Sequence, residues 1–185
     1  MCSSDLRPEA VAHMRSSSAS LFALRMPIYN FRFNYMKLDP DRYNVWGMAG
    51  HRAYFDELGP DAFRQLRFQF FNSAYQYADK GIEVIEHGGW HFGYMGDRDW
   101  LLDKAQSFAH QEVNHAEFLQ QIDPEASIAS GTSWDRSSSD KYVVVELDSY
   151  FPRDLVQRPE QYQRYILDNP TTKALDLLPA YPYNS

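Results

Sequence analysis

Four side chains within one 26-residue run have the types and spacing to do chemistry. The run is His87 to Glu112, HGGWHFGYMGDRDWLLDKAQSFAHQE, and the four are His91, Lys104, His110 and Glu112. A carboxylate such as Glu112 can take a proton from a hydroxyl, and an imidazole can do the same or ligate a metal. An ammonium such as Lys104 can oppose negative charge that builds on a leaving group. The run also holds three of the chain's six histidines, two of its four tryptophans and four of its nine glycines.

The elements that must position these groups follow from periodicity. Ile82-Glu83-Val84-Ile85-Glu86 alternates with a period of two and predicts a strand. Gly88-Gly89 then lets the backbone approach a ligand closely, or forms an ordinary turn. In an extended segment Trp90 and Phe92 face one way and His91 the other. At the C-terminal end of a strand in an α/β protein, His91 is either a ligand-facing residue or a hydrogen-bonded core histidine. Residues 93–99 (GYMGDRD) read as a glycine-hinged lid or a plain connection.

A helix is expected from Asp97 or Asp99 as its N-cap to about Leu119. At about 100° per residue it places Leu101, Ala105, Phe108, Ala109, Val113 and Ala116 on one face, with Glu112 near the centre of that face. A carboxylate there must be paired or hydrogen-bonded. It is therefore either a general base of tuned pKa or half of a structural ion pair with Lys104 or His115. His110 falls on the opposite face and reaches a metal or phosphate only if that face lines a cleft. His110 and His115 are five apart, the wrong spacing for a helical zinc pair.

Composition narrows the class. The 185 residues fit one domain, and 44% hydrophobic with 16% aromatic content excludes disorder. A formal charge of −7 argues against nucleic acid as a partner, because phosphate neutralisation needs clustered cations. No run approaches 18 apolar residues, so no transmembrane segment is expected. The single cysteine, Cys2, permits no internal disulfide. There is no H-E-x-x-H, C-x-x-C, G-x-G-x-x-G, G-x-x-x-x-G-K-[ST] or G-x-S-x-G, so a zinc protease, P-loop, dinucleotide or esterase reading has no support.

Along the chain, strands and helices alternate, which predicts an α/β class with a mixed sheet flanked by helices. Residues 7–24 are expected to be helical, with Pro8 in the first turn and a weakness at Ser16–Ser20. Residues 24–36 alternate like a strand, with Pro27 placing it at a strand start or an edge. Residues 39–50 read as loop, 60–71 as helix, 131–140 as loop, 142–147 as strand, and Pro159 to about Asn169 as a last helix. Residues 171–185 read as a tail or docking arm. The opening Cys-Ser-Ser-Asp-Leu is what a common sequencing adapter encodes, so residues 1–6 are expected to be a non-native leader, and no compartment follows from it.

Gly89-Trp90-His91-Phe92, the loop Tyr94-Met95-Gly96, then Lys104 and Ser107-Phe108-Ala109-His110-x-Glu112 resemble glycosyltransferase family 17, the family of the β-1,4-mannosyl-glycoprotein 4-β-N-acetylglucosaminyltransferase. Leu147-Asp148-Ser149-Tyr150-Phe151-Pro152 is similar to the family's C-terminal part. The resemblance covers about residues 7–170. It implies the C-terminal half of a GT-A-like fold and an inverting transfer of N-acetylglucosamine from a UDP-sugar donor to a glycan acceptor. It further implies a divalent metal, Mn or Mg, with Glu112 and His91 catalytic (Glu112 as base or base-orienting residue), His110 or His91 toward the metal or diphosphate, and Gly89, Trp90 and Lys104 binding substrate. The family's Asp-x-Asp-Glu-Ile-Pro metal motif is expected just before Arg7-Pro8-Glu9-Ala10, where MCSSDL stands instead. Gly93 stands where Ser is expected, and Asp97 where a second Gly is common. The sequence thus anticipates a truncated half of such an enzyme, inactive by itself; the remaining alternative is a non-catalytic carbohydrate-binding module.

Overall fold

The computed structural model describes residues 3–38, 43–69, 81–107, 119–120, 122–132 and 140–180. The chain divides into two compact units, Ser4–Pro27 with Tyr43–His91 and Leu178–Ser185, and Met1–Ser3 with Ile28–Arg42 and Phe92–Leu177. Three of the boundaries fall within strands, after Ser3, Pro27 and His91.

The first unit is built on β2 (Leu21–Asn30), whose first seven residues belong to it. β4 (Tyr43–Gly50) pairs antiparallel with it from Leu21↔Gly50 to Pro27↔Tyr43, and β5 (Ile82–Ile85) pairs parallel from Leu21↔Ile82 to Leu24↔Ile85. β6 (Gly89–Gly93) follows β5 along β2, beginning where the Gly88 amide donates to the Arg25 carbonyl at 2.9 Å. β1 (Ser3–Leu6) lies on the other side of β6. The sheet is therefore mixed and the class α/β.

Helices cover both faces. α1 (Pro8–Ser16) buries Ala10 against Phe22, Leu24, Met26 and Ile85. α2 (Arg52–Leu58) and α3 (Pro60–Gln69) follow β4, and Phe63 of α3 closes a second cluster with Leu21, Ala23, Val45 and Ile82. This two-sided burial corrects the expectation of helix through Leu24. The helix stops at Ser16, whose hydroxyl turns back to the His13 carbonyl at 3.0 Å, a local bond that competes with helix continuation. The apolar run after it is a strand buried on both faces, which periodicity cannot tell from a buried helix.

Residues 43–50 likewise form a strand where loop was expected. Gly47 and Gly50 read as loop residues, yet they pack side-on to Leu24, Met26 and Leu21, where an added Cβ would crowd at 3.0 Å. Pro27 lies inside β2, at the last pair of its register with β4, where its missing N–H interrupts little of that ladder.

In the second unit β2 ends at Asn30, Phe31 takes a positive φ of 65°, and the chain turns into β3 (Tyr35–Lys37). β3 pairs antiparallel with β2 at Tyr29↔Met36 and with β7 (Tyr142–Val144). The strand expected over 142–147 stops at Val144, and Val145 forms a single parallel bridge to Thr172. Its described helices include α4 (Arg98–Ser107), α5 (Pro124–Ser130) and α6 (Arg153–Gln157). The last expected helix is instead two 3-10 turns, Pro159–Gln161 and Gln163–Tyr165. The core gathers Phe31, Tyr35, Leu101, Ile122 and Tyr142, with Tyr35 and Tyr142 stacked at 4.9 Å. Asn34 ties the 3-10 region down: its amide donates to the Val145 and Leu167 carbonyls and accepts from the Leu167 amide. No helix among the described residues is long and apolar enough to cross a membrane.

Candidate functional site

In the first unit the candidate residues lie where β5 passes into β6. The strand ends at Ile85, and His87 takes a positive φ of 51°, which turns the chain onto β6. The double glycine follows. A Cβ on Gly89 would sit 1.9 Å from the Asp5 carbonyl oxygen, so the close backbone approach made here is by β1. Trp90 is buried with the Arg7 guanidinium over its ring at 4.1 Å. His91 is 7% exposed and lies flat against Trp46 of β4, centroids 4.6 Å apart and planes 9° from parallel. The two residues thus have different neighbours, as alternation along a strand requires.

His87, which the sequence reading did not single out, is fully buried. Its ring sits 5.1 Å from that of Tyr43, and its backbone amide donates to the Tyr43 hydroxyl. Its Nε2 is 2.9 Å from the Pro179 carbonyl, which can only accept, so Nε2 carries the proton. Burial lowers the imidazole's pKa, and the Arg7 charge adds to this, against the raising effects of the Pro179 carbonyl and Glu86. Glu86 itself pairs with Arg25 at 3.1 Å. The only sequence signal for His87 is its position between a strand and two glycines; its partners Arg7, Tyr43 and Pro179 carry none, nor does Trp46, the partner of His91.

In the second unit the connection from β6 to α4 is held by specific contacts. Tyr94 has a positive φ of 49° and Gly96 one of 140°. A Cβ on Gly96 would meet the Trp100 indole at 2.9 Å, so only glycine lets the loop lie on that ring. Asp97 is the N-cap expected from sequence: its Oδ1 accepts from the Trp100 amide at 3.0 Å. Arg32, nearly buried, donates to the Gly96 carbonyl and pairs with Glu125. Lys104 places its ammonium 4.8 Å from the Tyr94 ring centre and 5.3 Å from that of Trp100, a cation–π arrangement. Trp100 stays 37% exposed.

His110 and Glu112 lie outside the described residues, as do Phe108, Ala109 and His115. The described residues bring Gly89, Trp90 and His91 together on β6 and set Lys104 among the rings at the head of α4. They gather no group of three His, Cys, Asp or Glu able to hold a metal ion.

The chain matches no family model, no curated protein and no solved structure.

Proposed function

We propose that the chain is part of a glycosyltransferase of the family-17 kind, which transfers N-acetylglucosamine from a UDP donor to a glycan acceptor with inversion. The reading is carried by one observation, the Gly89-Trp90-His91-Phe92 run followed at fixed spacing by Ser107-Phe108-Ala109-His110-Gln111-Glu112. The α/β class with a mixed sheet supports it, as do the placing of the first run on a buried strand and the opening of a helix at Arg98 toward the second. A GT-A-like arrangement belongs to the same proposal.

In this reading the acceptor hydroxyl attacks the anomeric carbon, the bond to UDP breaks on the opposite face, and the hydroxyl proton passes to a base. Glu112 is the base. The resemblance assigns His91 a catalytic role and gives Lys104 the positive charge that opposes the departing diphosphate. The resemblance implies substrate binding by Gly89 and Trp90, which here pack on the Asp5 backbone and beneath Arg7 respectively. A divalent Mn or Mg ion, with His110 toward it, would further stabilise that diphosphate.

The test is made in a protein carrying this chain, by following UDP release from UDP-N-acetylglucosamine. Glu112→Gln should lower kcat by about 10²–10⁴-fold with an unchanged melting temperature. Lost folding, with normal specific activity in the folded fraction, would make Glu112 half of a structural ion pair. The exposed Trp100 ring favours the second reading, a carbohydrate-binding module. Binding of a glycan without any UDP release would establish it.

A further inference from the structure

We infer that Leu178–Ala180 is a displaceable strap over His87, a piece of the chain's own C-terminal region that caps the imidazole and must lift before a ligand can reach it. The inference does not rest on the transferase reading.

Three observations carry it. First, His87 is fully buried although it sits in the turn between β5 and β6, and its Nε2–H is satisfied by the Pro179 carbonyl at 2.9 Å. Second, the outer side of the cap is solvent: Pro179 and Ala180 are exposed, Leu178 is half-buried, and none of the three lies in a helix or strand. Proline has no N–H to offer a sheet, so the segment cannot be extended as a full ladder partner. Third, the residues just before it are anchored differently. The Thr171 amide donates to Val144, the Glu146 amide donates to Thr172, and Ala174 is fully buried. Residues 178–185 then group with the first unit while those up to Leu177 group with the second.

Backbone groups of both Pro179 and Ala180 hydrogen-bond the imidazole, and each neutral bond of this kind shifts an opening equilibrium by about a few-fold to tenfold. Segments held by few contacts open locally, well below the free energy of global unfolding. Beneath the strap burial holds the imidazole in its neutral form, the form that acts as a base or ligand, and lifting the strap relieves that burial. A ligand that takes the strap's place must bring an acceptor oxygen of its own, a carbonyl or a phosphoryl, to meet Nε2–H.

The experiment uses the full chain and diethyl pyrocarbonate, which acylates accessible neutral imidazole. Modification of His87 is followed by mass spectrometry as urea is raised, with exposed His51 as the internal reference. A strap predicts that His87 reacts at least about tenfold more slowly than His51, at a rate nearly independent of urea until global unfolding begins. Leu178→Asp, which leaves His87 and the Pro179 carbonyl in place, should raise the His87 rate about tenfold without moving the urea midpoint. Two results overturn the inference: a His87 rate that climbs with urea in parallel with global unfolding, or a Leu178→Asp variant whose faster modification is fully accounted for by a lower midpoint. If that variant does not fold, the segment is part of the core, and the strap is equally excluded.

Discussion

The imidazole of His91 lies on the indole of Trp46 with ring planes 9° from parallel, joining β6 to a residue 45 positions earlier on β4. Such a pair contributes about 0.5–1.5 kcal/mol beyond the area it buries. His91→Ala should lower stability by at least that much, whereas His91→Phe keeps a ring on the indole and should lower it by less. A double-mutant cycle with Trp46→Leu, read by urea unfolding, should return a coupling of about 0.5–1.5 kcal/mol. His91→Phe also separates the two roles: under the transferase reading it loses activity while the fold is retained.

The glycine pair before His91 should respond unequally to alanine. At Gly89 the new methyl would meet the Asp5 backbone at 1.9 Å, and backbone cannot rotate away. At Gly88 it would meet Leu24 Cβ and Cδ2 at 3.0 Å, a much milder approach. Gly89→Ala is expected to cost about 1–3 kcal/mol and to strip hydrogen-exchange protection from Asp5 and Leu6. Gly88→Ala should cost less and leave β1 protected.

His87 should make the fold sensitive to mild acid. Its pKa is depressed in the folded protein, first by burial, so the folded state resists protonation while the unfolded chain takes a proton near pH 6.5. Stability is then complete above pH 6.5 and falls as pH drops below it, levelling once the folded imidazole also charges. Melting temperatures between pH 7.5 and 5 should show this slope, and His87→Phe should flatten it.

Glu83 predicts a second acid transition at lower pH. Its carboxylate accepts from the Ser17 hydroxyl and from His13, and these bonds hold its pKa below 4.5. The stability it supplies is present above pH 4.5 and is lost as pH falls through the folded value. Because Glu83 is partly open to solvent, Ser17→Ala should cost only about 0.5–1 kcal/mol at pH 7. The same variant should weaken the pH dependence below 4.5.

Tyr35 works in the alkaline direction. Burial raises its hydroxyl to about pKa 12, from 10 when exposed. Folding is therefore undisturbed by this group below pH 10 and loses stability as pH rises from 10 toward 12. Absorbance at the phenolate band should show a late-titrating component that shrinks by one tyrosine in Tyr35→Phe.

Much of the local structure could be read from the sequence because local signals are short-ranged. Alternation marked Ile82–Ile85, Pro60 opened α3, and Asp97 sat where a helix needs an acceptor for its first free amides. The segregation of His91 from its neighbours followed from strand geometry alone. Other elements had no such signal. Leu21–Leu24 and Tyr43–Gly50 became strands because each had partners to pair with and cores on both sides, conditions set by residues up to some 60 positions distant. The seat of His91 on Trp46 and the capping of His87 by Pro179, 92 residues apart, depend likewise on where the sheet brings distant backbone together. Period and capping are properties of a few adjacent residues, whereas burial and partner choice are properties of the whole packed chain; the first can be read along a line, and the second exists only once the chain has closed on itself.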